Sequence, residues 1–129
     1  MKFKDGVARQ HMAAEWFNLH PRVREKLVAL DDWSRKQLLP EPVITHINRT
    51  PSEQAAIYQG KKRFSWHMCL CAVDLRNFTY TAEQLGRVYA FLTDNHDPEL
   101  WEVLSHDVGR GDHLHLAFRD AAWKTKAGF

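Results

Sequence analysis

The sequence predicts an α+β domain, and two observations lead to that class. Helical periodicity and helix-capping signals dominate the first forty residues, whereas segments with the alternation of β-strands lie later in the chain. Helices and strands that are separated in this way are typical of α+β proteins. The length of 129 residues, with 44% hydrophobic and 26% charged residues, fits one globular domain over residues 1–129.

The helices are predicted from periodicity and caps. A short helix is expected from Gly6 to Trp16. The next begins at Pro21 and continues towards Pro40, because residues suited to one buried face recur at three- and four-residue steps. Those residues are Val23, Leu27, Leu30, Ser34 and Leu38.

Capping sequences at residues 50–53 and 81–84 predict two more helices, the first ending at Gly60 and the second burying one face. That face comprises Leu85, Val88, Tyr89 and Leu92.

Strands are predicted at residues 43–47, 101–104 and 113–118. The last two are joined by a glycine-containing turn at residues 109–112, which is a hairpin pattern. Along residues 113–118 histidines alternate with leucines, so Leu114 and Leu116 are expected in the core while His113 and His115 line a cleft, with His115 facing the surface. The chain after residue 119 suggests only a short helix.

Charge and cysteine content exclude several classes of protein. A formal net charge of +2 does not suggest a nucleic-acid partner, which usually requires a concentrated basic face. Cys69 and Cys71 are too close in sequence for an ordinary disulfide, and we expect a reduced, buried pair.

The N-terminus lacks the apolar segment of a secretory signal, and no run is long enough to span a membrane. We therefore expect a monomer that does not insert into membranes and resides in the cytoplasm of the producing cell.

Two short stretches contain the residues that suggest chemistry. Residues 65–75 place His67 seven residues before Asp74, and residues 111–116 place Asp112 three residues before His115. Two histidines and one carboxylate suit a catalytic zinc ion, which keeps its fourth position for water. The stretch from His67 to Asp74 is at one end of a further predicted strand. In a regular strand two residues seven positions apart would face opposite sides of the sheet, so His67 must precede the strand or a bulge must intervene. Either residue alone is as readily a hydrogen-bonded structural group.

The first stretch resembles a motif of the zinc peptidoglycan peptidases, a family that includes D-Ala-D-Ala carboxypeptidases and phage L-alanyl-D-glutamate endopeptidases. Their pattern S-x-H-x-x-G-x-A-x-D is matched by Ser65, His67, Ala72 and Asp74. One position departs from it, because Leu70 occupies the place of the glycine. Glycine permits backbone shapes that leucine rarely adopts, so this position bears on the shape of the substrate cleft.

Two further motifs strengthen the resemblance. Asp112 and His115 match the acidic residue three positions before a strand histidine, and His113 completes an H-x-H sequence. The upstream arginine of the family resembles Arg49, which precedes a T-P-S-E-Q segment, although the usual Gly-Tyr before it is replaced by Ile47 and Asn48. The three motifs occur in the family's order.

The resemblance implies a Hedgehog/DD-peptidase-like fold, with a small antiparallel sheet and flanking helices, and an enzyme acting on the peptide stem of peptidoglycan. It further implies that His67, Asp74 and His115 bind zinc, with Asp112 as the general base and Arg49 as a catalytic and substrate-binding cation. The other substrate-contacting residues that it implies are Ser65, Gln54 and His113.

Three alternatives are open at this point. Within the family we favour a phage-lysin-type endopeptidase over a carboxypeptidase, with release to the cell wall by a separate phage pore protein. A catalytically inactive member that binds cell-wall peptide, or a phage structural module, is favoured by Leu70 but opposed by the intact Asp112. A structural zinc domain is disfavoured, because such sites usually fill all four positions, mostly with cysteine.

The remaining histidines are predicted to be structural or exposed: His11, His20, His46, His96 and His106.

Overall fold

The computed structural model describes residues 1–4, 8–57, 63–106 and 112–129. These residues form an α+β fold, as predicted. The strands are β1 (Lys2–Phe3), β2 (Val43–His46), β3 (Ala72–Arg76), β4 (Trp101–His106) and β5 (His113–Phe118). The helices are α1 (Ala8–Asn18), α2 (Pro21–Lys36), α3 (Pro51–Ile57), a 3-10 helix (Trp66–Cys69), α4 (Ala82–Thr93) and α5 (Ala121–Lys126). None of the helices in the described ranges has the length and apolar character needed to cross a membrane.

The strands form one mixed sheet in the order β1-β2-β3-β5-β4. The expected antiparallel pairing holds for β2 through β4, but β1 lies parallel to β2, with Lys2 opposite Val43. The expectation of a purely antiparallel sheet was therefore wrong at one edge. A two-residue strand is too short to produce a recognisable alternation. It is held by the hydrogen bonds that the Lys2 and Lys4 amides donate to the carbonyls of Pro42 and Ile44.

Helix α2 begins at Pro21 as predicted, and its buried residues are Val23, Leu27, Leu30 and Ser34. The prediction was wrong at its end, because the helix ends at Lys36 and Leu38 is 91% exposed with φ 55°. The helix therefore ends before Pro40 is reached, and the exposed Leu38 side chain does not join the core.

Helix α4 begins with the predicted capping box, in which Thr81 accepts from the Gln84 amide and Gln84 accepts from the Thr81 amide. Val88 and Leu92 are buried as predicted, whereas Tyr89 is 44% exposed. Helix α3 begins at Pro51 as expected, but its predicted end at Gly60 lies outside the described residues. The predicted hairpin strands pair from Trp101 opposite Phe118 onwards, while most of the connecting turn, residues 107–111, is also outside them.

The sheet has an apolar face and a polar face, set by the alternation of side chains along each strand. Leu75 and Leu114 lie opposite each other on the apolar face and belong to the buried core, which α2 and α4 complete. Asp74 lies opposite His115 on the other face. Residues of β3 and β5 therefore alternate between the core and the polar face, where the candidate site lies.

Candidate metal centre

His67, Asp74 and His115 form a buried cluster in which one ligand atom from each residue lies within 4.8 Å of the others. Asp74 is at its centre, with its Oδ1 atom 3.1 Å from Nε2 of His67 and 3.1 Å from Nδ1 of His115. Each of the three residues is at most 5% exposed. The structure thus brings together the three residues that the sequence singled out as metal ligands.

His67 reaches this cluster from the 3-10 helix that precedes β3, which confirms that it lies before the strand. Ser65 caps this helix, and its Oγ accepts from the His67 amide at 3.3 Å. The imidazole Nδ1 lies 2.7 Å from the carbonyl oxygen of Ile47. A carbonyl only accepts, so Nδ1 carries the proton in this contact and Nε2 is left to face Asp74 as a potential ligand.

Leu70 ends the 3-10 helix in the left-handed conformation, with φ 60° and ψ 34°. This conformation directs the chain from the helix into β3, and the Cys71 amide then bonds to the Trp66 carbonyl at 3.0 Å. It is the region that favours glycine, which explains physically why a glycine would suit this position of the motif. Leucine nevertheless adopts it here, and its side chain packs against the hydrophobic core.

Glu102 on β4 is a neighbour of the cluster that the sequence did not reveal. Its Oε1 lies 3.0 Å from Nε2 of His115, and its Oε2 accepts from Arg119 at 2.8 Å. Metal-binding histidines commonly donate their second ring nitrogen to a carboxylate, which fixes the orientation of the ring. The only signal in the sequence was a single charged residue within an otherwise apolar strand segment.

Electrostatics in the cluster follow from burial and from these contacts. Burial lowers the pKa of His67, whereas at His115 burial is outweighed by hydrogen bonds to Asp74 and Glu102, which raise its pKa to about 9. Burial alone would raise the pKa of Asp74, but the two imidazoles hold it well below its usual value. The hydrogen bond from His115 lowers the pKa of Glu102 to about 2. The carboxylates of Asp74 and Glu102, on either side of His115, thus favour the charged form of its imidazole.

The donor types, and the two donor distances that involve Asp74, suit a zinc ion. Zinc is bound by imidazole nitrogen and carboxylate oxygen at about 2.0–2.2 Å, which places neighbouring donors of a tetrahedral site about 3.3 Å apart. The two contacts of Asp74 Oδ1, each 3.1 Å, are close to that separation. The Ile47 carbonyl and Glu102 satisfy the outer nitrogens of the two rings. The cluster is therefore a possible metal site.

A cleft of about 870 Å³ opens onto the cluster at Asp74. Its wall includes three residues predicted to act on substrate or water: Arg49, Asp112 and His113. Asp112 is exposed, so it is accessible to solvent in the cleft. The structure therefore brings Asp112, the predicted base, into the cleft that opens at the edge of the His-Asp-His cluster.

Arg49 and Gln54 act as a pair. Arg49 is 6% exposed, its Nη1 donates to Oε1 of Gln54 at 2.9 Å, and its Nη2 lies 4.0 Å from Oδ2 of Asp74. Gln54 is buried, and neither it nor Ser65 belongs to the described lining of the cleft. The contacts of Gln54 and Ser65 are those of groups that position Arg49 and His67.

Two histidines lie differently from their predicted positions. His115 was expected to face the surface, but it is 5% exposed, because Asp74 and Glu102 enclose it. His46 was predicted to be structural or exposed, yet it lines the cleft, with its ring centroid 5.1 Å from that of His67. His113 is on the polar face with its Nε2 3.5 Å from Oδ1 of Asp74.

The cysteines are free and buried, as predicted. The Cys71 thiol is 3.6 Å from the carbonyl oxygen of Cys69, and the interaction with Cys69, together with burial, raises the pKa of Cys71. Neither residue belongs to the described lining of the cleft.

Comparisons with family models, with curated proteins and with solved structures gave no match to this chain. The description of the candidate site therefore rests on its geometry alone, and the resemblance to the zinc peptidoglycan peptidases rests on the sequence motifs alone.

Proposed function

We propose that the protein is a zinc-dependent metallopeptidase that hydrolyses a peptide bond in the peptidoglycan stem. The observation that supports this proposal most directly is the joint placement of a His-Asp-His cluster and Asp112 at one cleft. The motif order and the α+β fold are compatible with a Hedgehog/DD-peptidase-like architecture. Within that architecture we favour an L-Ala-D-Glu endopeptidase of phage-lysin type, with the D-Ala-D-Ala carboxypeptidase as the alternative.

His67, Asp74 and His115 would hold the ion. Bound zinc supplies a Lewis acid and lowers the pKa of a water molecule from ~15.7 to roughly 7. Asp112 accepts the proton of the attacking water and returns it to the leaving amine, because an exposed carboxylate in the cleft is suited to general acid-base exchange.

Arg49 stabilises the oxygen on which negative charge develops. Its guanidinium is permanently charged and is held in place by Gln54, so it is oriented before substrate arrives. His113 and His46 provide imidazole groups along the same wall for polar contacts with the peptide. Ser65 and Gln54 contribute indirectly, through the 3-10 helix and Arg49 respectively.

The rival proposal is a module that binds cell-wall peptide without cutting it. Its main support was leucine at the glycine position, but Leu70 adopts the left-handed backbone that glycine would provide. The local path of the chain into β3 is thus compatible with an intact site, which supports the enzyme.

The test is mass spectrometry of purified muropeptides incubated with zinc-loaded protein and, in parallel, with chelated protein. Metal-dependent cleavage between the first two stem residues would support the endopeptidase, and loss of a terminal alanine would support the carboxypeptidase. Absence of cleavage on muropeptides of all wall types, with zinc confirmed bound, would overturn the enzyme and favour the binding module.

A further inference from the structure

The cleft contains a cation that the proposed chemistry does not use. Arg76 lies two residues after Asp74 on β3, on the same face of the sheet, and lines the cleft. Two residues of a strand span about 7 Å. Arg76 is therefore near the metal cluster but is displaced from it along the direction of β3.

Within the part of the chain that the structure describes, the contacts of Arg76 leave its hydrogen-bond donors available. Its guanidinium carbon lies 4.8 Å from the ring centroid of Phe78, which is 79% exposed. Among the described residues no carboxylate lies within 4.0 Å of Arg76, and its buried Nε has no hydrogen-bond partner. Arg49, in contrast, already donates to Gln54.

The charges along the cleft also favour an anionic ligand. Its lining contains three basic side chains, Lys4, Arg49 and Arg76, against the carboxylates Asp74 and Asp112. Asp74 is already surrounded by imidazoles. A planar guanidinium binds a carboxylate through two parallel hydrogen bonds, and an aromatic ring beneath it favours the stacked orientation.

We propose that Arg76, stacked on Phe78, forms an anion subsite that recognises a carboxylate of the substrate, separate from the peptide bond that is cut. The identification of that carboxylate as part of a stem peptide rests on the proposed function. A stem peptide offers two such groups, the α-carboxylate of D-glutamate and the terminal carboxylate.

The experiment measures binding of the stem tetrapeptide L-Ala-γ-D-Glu-L-Lys-D-Ala to the zinc-loaded full chain by calorimetry. Three forms are compared: the free acid, the form amidated at the D-glutamate α-carboxylate, and the form amidated at the C-terminus. All proteins carry Asp112→Asn to prevent cleavage. Amidation of one carboxylate is expected to weaken binding about tenfold, in line with the loss of a charge-assisted pair, and the sensitive form identifies which carboxylate is bound.

Arg76→Gln should reduce that acid-to-amide ratio to near one, and Arg76→Lys should retain part of it. Lys4→Gln, which removes another cation of the cleft, is the matched control and should leave the ratio unchanged. Melting temperatures of the variants establish that each is folded. A ratio that survives Arg76→Gln, or the absence of any acid-to-amide difference in the parent protein, would overturn the subsite.

This outcome is distinguishable from failure of the proposed function. Cleavage of the same peptides by the chain with Asp112 intact tests the enzyme separately. An Arg76-dependent preference without cleavage would support the subsite and overturn the peptidase, and cleavage without that preference would do the reverse.

Discussion

At the scale of the residue, the other members of the candidate site surround one buried carboxylate, that of Asp74. Asp74 is 4% exposed, and a buried charge is strongly destabilising unless it is paired. Its Oδ1 atom lies near the imidazoles of His67 and His115, with His113 slightly further away, and Arg49 lies near Oδ2. The concentration of ionisable groups around one atom is typical of functional sites rather than of ordinary cores.

Asp112→Asn should separate zinc binding from hydrolysis. The substitution keeps the size of the side chain but removes the proton acceptor, so we expect zinc stoichiometry to stay at one while the cleavage rate falls by about 10²–10⁴-fold. Zinc content measured by mass spectrometry and muropeptide turnover are the two readouts. Unchanged turnover would remove Asp112 from its role as base.

Glu102→Gln should weaken the metal site without removing a ligand. Loss of a carboxylate partner of a metal-binding histidine typically lowers metal affinity by about 10–100-fold, and a competition titration with a chromogenic chelator would measure it. Arg119→Gln is the matched control, because it removes the other partner of Glu102 and leaves its contact with His115. Equal zinc affinities for both variants would exclude a positioning role for Glu102.

At the scale of the element, short connections determine where the site residues lie. The 3-10 helix places His67 beside β3, and the left-handed Leu70 returns the chain to the sheet. The start of α2 is joined to this region, since the His20 amide donates to the Leu70 carbonyl at 2.8 Å. The His20 side chain also bonds to Asp120, the N-cap of α5. These two contacts connect α2 with the 3-10 helix and with α5.

Asp120→Ala should lower stability in a pH-dependent way. The hydrogen bond with His20, followed by that from the Trp123 amide, lowers the pKa of Asp120. A lowered carboxylate pKa means that the stabilisation is present above the unfolded value of about 3.9 and is lost as the pH falls through the folded-state value. At pH 7 we expect a loss of about 1 kcal/mol, the usual effect of removing an N-cap.

Thermal unfolding from pH 7 down to pH 3 would measure this difference, which should shrink below about pH 4. Asp32→Ala is a suitable control, because among the described residues Asp32 forms only an exposed ion pair, with Lys36, and such helix pairs contribute about 0.3–0.5 kcal/mol. A loss in Asp120→Ala that is equal at both ends of the pH range would contradict the assignment.

At the scale of the whole molecule, the hydrophobic core and the candidate site lie on opposite faces of the sheet. One face packs against α2 and α4 to form the hydrophobic core, and the other carries the His-Asp-His cluster and the cleft. The cluster joins residues from the 3-10 helix, β3 and β5. A ligand that binds only when these elements are assembled stabilises the entire fold.

Zinc should therefore raise the melting temperature. At a free concentration of 100 times the dissociation constant, binding adds about 2.7 kcal/mol, which corresponds to about 10 °C for a domain of this size. Differential scanning fluorimetry with zinc and with a chelator would measure the shift. His115→Ala should lose it, whereas His96→Ala, which removes a histidine hydrogen-bonded to the Thr93 carbonyl, should keep it. A full shift in His115→Ala would exclude that residue as a ligand.

Local signals were sufficient for much of the fold. The capping box at Thr81 and the proline at the start of α2 each depend on a few neighbouring residues, and the structure confirms both. The alternation in β5 correctly predicted Leu114 and Leu116 in the core, but His115, which was expected to face the surface, is buried. Predictions at the ends of elements were less successful. Leu38 continues the apolar period of α2 but lies beyond its last turn, since periodicity alone does not mark where a helix stops.

The sequence alone determined which residue types form the candidate site, because the spacing of His67, Asp74 and His115 could be recognised without coordinates. Only the tertiary structure decided how they are arranged and what surrounds them. Glu102 meets His115 across a strand pairing, and β1 adds a parallel edge to the sheet. The physical reason is that caps and periodicity depend on neighbours in the chain, whereas cross-strand contacts and burial depend on which segments pack together.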